Sequence, residues 1–287
     1  MAELRKATID LFPDILPLLE HFDVPDMGSE DWFHLFSASW KGKRDYFGYV
    51  LMEGRKAVGF LGGLFHERLF EEDRYPVCNL FCWYVLEEFR SQSLLLLMPF
   101  LREKGLTVTS LTPSREASLV LKKFNFTVLE SSVMILPMLP FGWASLGYEM
   151  LSEPGLVSLV LSPGDKILLK DHSPHWCRHI LLWNGEKSGE YCLILFNKVR
   201  KRGVNFTQVY HVSNVGLFLR NLGRIQRRFF ILNKTFFTVV DRRLLKGHRA
   251  FGGFSYELRY PRLMCSEDIR PEIVDNLYSE LVFLKKI

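Results

Sequence analysis

The chain has 287 residues, of which 48% are hydrophobic and 24% charged, and its formal net charge is +5. This composition is typical of a globular protein with one or two domains, and it excludes the disordered, collagen-like and disulfide-scaffold classes. The longest apolar stretch, residues 94–101, is far below the ~20 residues that cross a bilayer, and the first residues lack the apolar segment of a secretory signal. We therefore expect a cytoplasmic protein without a membrane span, and the five scattered cysteines favour reduced thiols.

Strands and helices follow each other in an order that occurs twice along the chain. A strand after Glu3 leads into a helix over residues 10–22, where apolar side chains recur at helical spacing. A hairpin with Gly54 in its turn precedes a strand, a helix and a further strand, and a second hairpin with Gly185 in its turn precedes the same three elements. The predicted spans are 77–85, 93–104 and 107–111 in the first half, and 206–212, 215–229 and 236–240 in the second. Two copies of one β-β-β-α-β unit predict the α/β (α+β) class with a mixed sheet.

The two copies predict two domains, 1–138 and 153–287, joined by a linker at 139–152 that follows a segment rich in proline and apolar residues. The two halves of the chain differ in charge. Residues 1–145 contain 15 Lys and Arg against 19 Asp and Glu, whereas residues 146–287 contain 22 against 13. The second half is basic, and an anionic partner and a solvated charged surface explain this equally well.

The most informative segment is residues 83–95, with the sequence Trp-Tyr-Val-Leu-Glu-Glu-Phe-Arg-Ser-Gln-Ser-Leu-Leu. It resembles the central strand, the acidic-aromatic-basic turn and the Arg/Gln-x-x-Gly-x-Gly/Ala helix start of the GCN5-related N-acetyltransferases (GNAT). The resemblance implies two GNAT-like domains, each a mixed, mostly antiparallel sheet flanked by helices, with acetyl-CoA or another acyl-CoA as the donor. Backbone amides at a helix start suit the CoA pyrophosphate. The CoA-binding residues that the resemblance implies are Val85, Leu86, Arg90, Ser91, Gln92, Ser93, Leu94 and Leu95.

The segment also departs from the family pattern. Arg90 matches, but Ser93 and Leu95 stand where the family has small residues, and a leucine there would crowd the pyrophosphate. Residues 112–126 resemble a second family segment, with Leu121 at the position of a tyrosine that often protonates the departing thiolate; leucine cannot donate a proton. The leading hypothesis is an acyltransferase that works by direct attack in a ternary complex. The alternative is a non-catalytic acyl-CoA-binding or regulatory protein on the same scaffold.

Acyl transfer needs a base that keeps the acceptor nucleophilic, and three residues are candidates for proton transfer. His211 comes at the end of the second copy's central strand, and an imidazole suits base catalysis near neutral pH, although a hydrogen-bonded structural histidine explains it too. Tyr84, on the central strand of the first copy, is a candidate proton donor or a packing residue. Glu67 is a candidate base acting through water, or a solvated charge at a strand end.

We expect no metal site. Cys78 and Cys82 are too far apart along a strand to bind one tetrahedral ion, and His172 and His175 lack a third ligand in the sequence. The expected partner is a small acceptor molecule, anionic or sugar-like, presented by the basic second half. Nucleic acid is not the expected partner, because charge alone points to it.

Overall fold

A computed structural model of the chain describes residues 2–22, 24, 27–37, 44–70, 73–138, 147–173, 175–185, 189–267, 269–271, 274 and 276–284. Its strands are β1 (Glu3–Thr8), β2 (Tyr46–Glu53), β3 (Lys56–Phe70), β4 (Asp73–Val85), β5 (Thr107–Ser110), β6 (Thr127–Pro137), β7 (Glu149–Leu151), β8 (Arg178–Trp183), β9 (Tyr191–Lys201), β10 (Val204–Val212), β11 (Phe237–Asp241) and β12 (Phe254–Cys265). Its helices are α1 (Phe12–Leu19), α2 (Ser29–Phe36), α3 (Ser93–Arg102), α4 (Arg115–Lys123), α5 (Pro154–Val160), α6 (Pro163–His172), α7 (Val215–Arg220), α8 (Leu222–Asn233) and α9 (Glu280–Phe283). Short 3-10 helices cover Ile9–Leu11, Glu87–Gln92 and Arg242–Leu245.

The chain divides into two compact units that do not follow a single cut in the sequence. The first contains Met1–Leu129, Arg262–Arg270 and Tyr278–Glu280, and the second contains Glu130–Pro261, Pro271–Leu277 and Leu281–Ile287. The boundary after Leu129 falls inside β6, and the boundary after Pro261 falls inside β12. The domains and linker expected from the sequence stay a prediction, and residues 139–146 of that linker lie outside the described residues.

In the first unit the strand order is β1-β2-β3-β4-β5, followed by the end of β12. Neighbouring strands are antiparallel except for β4 and β5, which are parallel. Gly54 takes φ 61° in the turn between β2 and β3, a left-handed conformation that costs glycine little because it has no Cβ. Helix α3 buries Leu96, Leu97 and Phe100 on one side, and these pack with sheet side chains into a single apolar core.

In the second unit the strand order is β6-β11-β10-β9-β8-β7. Its pairs are antiparallel except for β10 and β11. Helices α7 and α8 supply buried side chains such as Phe218 and Phe229 to a core against this sheet. The sequence predicts one helix over 215–229, but the structure has two, because the chain leaves the helix at Asn221, whose side-chain amide donates to the carbonyl of Leu217 at 3.0 Å.

The predicted α/β class with a mixed sheet flanked by helices is confirmed, and the β-β-β-α-β order occurs in both units. None of the helices in the described part of the chain is both long and apolar enough to span a bilayer. In each unit the parallel pair contains the strand that leads into a helix, β4 in the first unit and β10 in the second. This strand positions the candidate site.

Candidate functional site

The strand at the centre of the first unit, β4, carries a β-bulge close to its end. Phe60 of β3 pairs with Tyr84 and Gly62 pairs with Phe81, so Cys82 and Trp83 together lie opposite a single residue of β3. Cys82 takes φ 50°, a conformation that is uncommon for a residue other than glycine. A bulge of this kind bends the strand and is frequent beside functional sites.

The parallel pairing of β4 with β5 is short. It joins Val77–Asn79 to Thr107–Thr109, whereas β4 continues to Val85. The part of β4 from Leu80 onward therefore has no β5 partner. We call the point where the pairing stops, at Asn79 and Thr109, the β4–β5 fork. Ligands of α/β proteins commonly bind where the carboxyl ends of neighbouring parallel strands separate.

Beyond the bulge, β4 leads directly into a helical segment. The amide of Leu86 donates to the carbonyl of Val58 at 2.9 Å, and the 3-10 helix Glu87–Gln92 then runs into α3. Neither Leu86 nor Gln92, which precede the two helices, accepts a hydrogen bond from the helix start with its side chain. The first amides of this segment thus lack a side-chain cap, and such amides suit an anionic ligand.

The structure places all the residues that the family resemblance implies for CoA in this one segment. Val85 is buried at the end of β4 and Leu86 is half-buried, whereas Arg90 and Ser91 are exposed. The Nη1 atom of Arg90 lies 3.8 Å from the Oε1 atom of Glu87, a weak contact between two exposed side chains. The remaining positions are Gln92, whose Oε1 accepts from the amide of Ala2 at 3.0 Å, and the half-buried Ser93.

Leu94 and Leu95 begin α3 with their side chains 43% and 40% exposed. The bulky side chain that the sequence comparison identified at position 95 is therefore on the surface of the helix start and does not fill the core. Its crowding of a phosphate stays a prediction.

Two of the predicted proton-transfer residues lie in the first unit, and each already has a partner. The ring of Tyr84 stacks on that of His21, with centroids 4.6 Å apart, and meets Phe22 edge-on. Glu67 accepts from Arg74 at 3.0 Å in an exposed ion pair. Their predicted roles in catalysis remain predictions.

A carboxyl group that is not among the predicted catalytic residues lies at the β4–β5 fork. The backbone amide of Glu280 donates to the side-chain oxygen of Asn79 on β4 at 3.1 Å. Its Oε1 accepts from the amides of Leu111 and Thr112, just after β5, at 2.9 and 2.8 Å, and from the Thr112 hydroxyl at 3.2 Å. The residue is 2% exposed, and burial raises the pKa of its carboxyl. The only local signal was one acidic residue placed directly before the apolar run 281–284.

The central strand of the second unit, β10, has a bulge at the corresponding place. Val209 pairs with Phe196 and His211 with Leu195, so Tyr210 is the extra residue. The parallel pairing with β11 ends at Val209 and Val240. His211 therefore comes two residues after the end of the pairing, and its expected place beside a cleft stays a prediction. Its function as a base stays a prediction.

His211 meets a carboxylate that is 46 positions away in the sequence. Its Nε2 lies 3.6 Å from the Oδ1 of Asp165, and both side chains are largely buried. The Oδ2 of Asp165 accepts from the hydroxyl of Tyr191 at 2.6 Å, and the Asp165 amide donates to the Ser162 hydroxyl at the start of α6. The pKa of Asp165 is lowered although burial acts in the opposite direction, because the nearby imidazole of His211 and the hydrogen bond from Tyr191 stabilise the charged form.

The helix after β10 differs from the one after β4 in how its first amides are used. The side chain of Asn214 accepts from the amide of Leu217 at 2.9 Å, which is an ordinary N-cap. Ser213 is engaged as well, since its hydroxyl accepts from the amide of Leu193 at 2.8 Å. The helix start after β10 in the second unit thus has a side-chain cap, whereas the corresponding helix start after β4 in the first unit has none.

Within the described part of the chain, no group of three His, Cys, Asp or Glu side chains is arranged to hold a metal ion. His172 is buried, with its Nδ1 3.0 Å from the carbonyl of Leu168, and His175 meets the ring of Trp176 edge-on. Cys78 and Cys82 are both buried thiols outside any disulfide bond.

No protein-family model and no curated protein matches the chain. Solved structures do match. A GCN5-related N-acetyltransferase from Anabaena variabilis has a TM-score of 0.59 at 16% identity, covering 92% of this chain and 72% of its own. One from Kribbella flavida has a TM-score of 0.58 at 14% identity, covering 92% and 70%. The N-myristoyltransferase of Saccharomyces cerevisiae with bound myristoyl-CoA has a TM-score of 0.51 at 11% identity, covering 94% and 80%.

These identities are too low to transfer an activity, but the agreement extends over nearly the whole chain. The matched fold is also the one that residues 83–95 resemble. The chain therefore has the fold of the GCN5-related N-acetyltransferases.

Proposed function

We propose that this protein is an acyl-CoA-dependent acyltransferase. It transfers an acyl group, with acetyl as the first candidate, to an amine or hydroxyl group of a small or sugar-like acceptor. The attack is direct, within a ternary complex of protein, acyl-CoA and acceptor. The fold agrees with this activity, and one of the similar structures carries a bound acyl-CoA.

One observation carries the proposal. The bulged end of β4 runs directly into a helix start whose first amides have no side-chain cap. Between Leu80 and Val85 the strand continues beyond its pairing with β5, and this is where we place an extended chain such as pantetheine. The first amides of the segment that follows are available to a pyrophosphate, and Arg90 adds a positive charge at the surface. We assign the donor to Val85, Leu86 and residues 90–95 on these grounds.

The difference between the two helix starts favours the first unit over the second as the place of the donor. Asn214 already occupies the amide that a phosphate would need at the start of α7, and that helix has only 6 residues. The basic charge of residues 146–287 suits an anionic acceptor instead.

The test is calorimetric titration of acetyl-CoA into the purified protein and into Arg90→Glu. Reversing one charge near a pyrophosphate should weaken binding roughly 10-fold, since an exposed pair of charges contributes on the order of 1 kcal/mol. Arg55→Glu is the matched control, because it makes the same change of charge in the exposed β2–β3 turn. Absence of acetyl-CoA binding, or equal losses in both variants, would remove the proposal.

A second candidate function is supported by one residue of α4. Leu121, at the position where the resemblance implies a proton-donating tyrosine, is fully buried and belongs to the core. The alternative is therefore a non-catalytic acyl-CoA-binding or regulatory protein. It predicts acetyl-CoA binding and thermal stabilisation without release of CoA in the presence of any acceptor.

A further inference from the structure

The three residues Tyr278–Glu280 return from the end of the chain to the first unit, and we call them the returning segment. We propose that the returning segment supplies the base of the transfer reaction, with Glu280 Oε2 taking the proton from the attacking acceptor, directly or through one water. The inference rests on the proposed function. It adds a catalytic residue that neither the motif at residues 83–95 nor the predicted candidates contain.

Glu280 lies at the β4–β5 fork. Its amide is bonded to Asn79, the last β4 residue that pairs with β5, and its carboxylate is bonded to the first amides after β5. Glu280 therefore bridges the two strands where they separate. In the proposed function this fork lies at the inner end of the donor site, next to the part of β4 that continues beyond its pairing with β5.

The two carboxylate oxygens are used differently. Oε1 accepts all three hydrogen bonds, from the amides of Leu111 and Thr112 and from the Thr112 hydroxyl. Oε2 is buried and, among the residues that the structure describes, has no hydrogen-bond partner. A buried carboxylate oxygen without a donor is costly, and we take the attacking acceptor or one water as the donor that completes it.

The returning segment is held firmly enough to position a base. The ring of Tyr278 stacks on that of His66, with centroids 4.7 Å apart and planes 12° apart, and the guanidinium of Arg68 lies 5.0 Å from the same ring. Tyr278 takes φ 53°, a left-handed conformation that this packing stabilises against its intrinsic cost. The two anchors, on β3 and at the fork, fix the carboxyl between them.

The proposed step moves one proton and exchanges one bond at the thioester carbon. The acceptor nitrogen or oxygen attacks the thioester carbonyl carbon and loses its proton to Glu280 Oε2, while the carbon–sulfur bond breaks and the electron pair leaves on sulfur. The proton then passes from Glu280 to the CoA thiolate, which leaves as the thiol. Glu280 returns to its ionised form, and no oxidant, reductant or metal is required.

The electrostatics favour such an exchange. Burial raises the pKa of Glu280, and the amides of Leu111 and Thr112 act against that rise. The largest contributions to the shift come from burial and from these hydrogen bonds, and in the same segment Tyr278 contacts His66 and Arg68. A carboxyl with a raised pKa is a stronger base than one in water once it is ionised.

The experiment compares the wild-type chain with Glu280→Gln, which keeps an oxygen acceptor for the two amides but cannot take a proton. CoA formed from acetyl-CoA is measured by chromatography, because the partly exposed thiol of Cys265 would react with a thiol reagent. The nucleophiles are glucosamine and, in its absence, water, over a range of pH. We expect Glu280→Gln to lose roughly 100-fold or more in rate and to lose the rise in rate with pH, the usual contribution of a positioned base.

Acetyl-CoA binding and the thermal melt are measured on the same samples, so that a folding defect is detected separately. Glu53→Gln, which makes the same chemical change at an exposed position of β2, is the control and should behave as wild type. A Glu280→Gln variant with the wild-type rate and pH profile overturns the inference, as does a wild-type protein that forms no CoA above the spontaneous rate. If acetyl-CoA still binds in either case, the donor site stands without Glu280; if it does not bind, the proposed function itself is wrong.

Discussion

Replacing Glu280 by glutamine should change the pH dependence of stability in a direction that the structure specifies. The pKa of the carboxyl is raised in the folded chain because the group is buried, so the folded state binds this proton more tightly than the unfolded state does. The stability that protonation contributes is complete below the unfolded value, near 4.5. It is lost as the pH rises through the folded value, whereas glutamine has no charge to bury at any pH.

The magnitude follows from linkage. Over the interval between the two pKa values, the wild type loses stability relative to Glu280→Gln at up to ~1.4 kcal/mol per pH unit, and the difference is constant above it. Glu280→Ala behaves differently, since it removes the acceptor of the Leu111 and Thr112 amides. Each donor left without a partner costs about 1–3 kcal/mol at every pH.

The assay is urea denaturation of wild type, Glu280→Gln and Glu53→Gln at a series of pH values from 4.5 upward. The free energy of unfolding of Glu280→Gln minus that of the wild type should rise with pH, while the difference for Glu53→Gln stays flat. A flat difference for Glu280→Gln would show that the carboxyl keeps its ordinary pKa, and the argument from burial would then be refuted.

Two further predictions concern the other features of the site. Tyr191→Phe removes a hydrogen bond that keeps the pKa of Asp165 low, so carbon NMR titration of that carboxyl should show a higher pKa; an unchanged titration would contradict the assigned hydrogen bond. Leu95→Ala removes an exposed side chain where the family has a small residue, so acetyl-CoA should bind several-fold more tightly in calorimetry with little change in stability, and weaker binding would show that Leu95 contacts the donor favourably.

Local sequence patterns predicted strand β4 and helix α3 well. The strand expected at 77–85 ends at Val85 as β4 does, and the helix expected at 93–104 begins at Ser93 as α3 does. The spacing of apolar residues distinguishes a strand from a helix, and this spacing is present in the sequence itself. The turns with Gly54 and Gly185 were visible too, because both positions need a positive φ.

Other elements gave no comparable signal. Strand β6 covers Thr127–Pro137. It includes the start of the segment, rich in proline and apolar residues, that precedes the expected linker. Its pairing with β11 depends on residues roughly 100 positions away, and it is this partner that makes an extended conformation stable.

The sequence by itself determined the fold class and the segment that resembles a CoA site, because hydrophobic period, turn glycines and the Arg90 motif are local properties of the chain. Only the tertiary structure decided which polar groups meet: Glu280 with Leu111 and Thr112, and His211 with Asp165. These contacts join residues far apart along the chain, and a side chain's partner, burial and pKa depend on what the fold packs against it. The acidic residue at position 280 therefore acquires its chemistry from the β4–β5 fork, a feature that no window of the sequence contains.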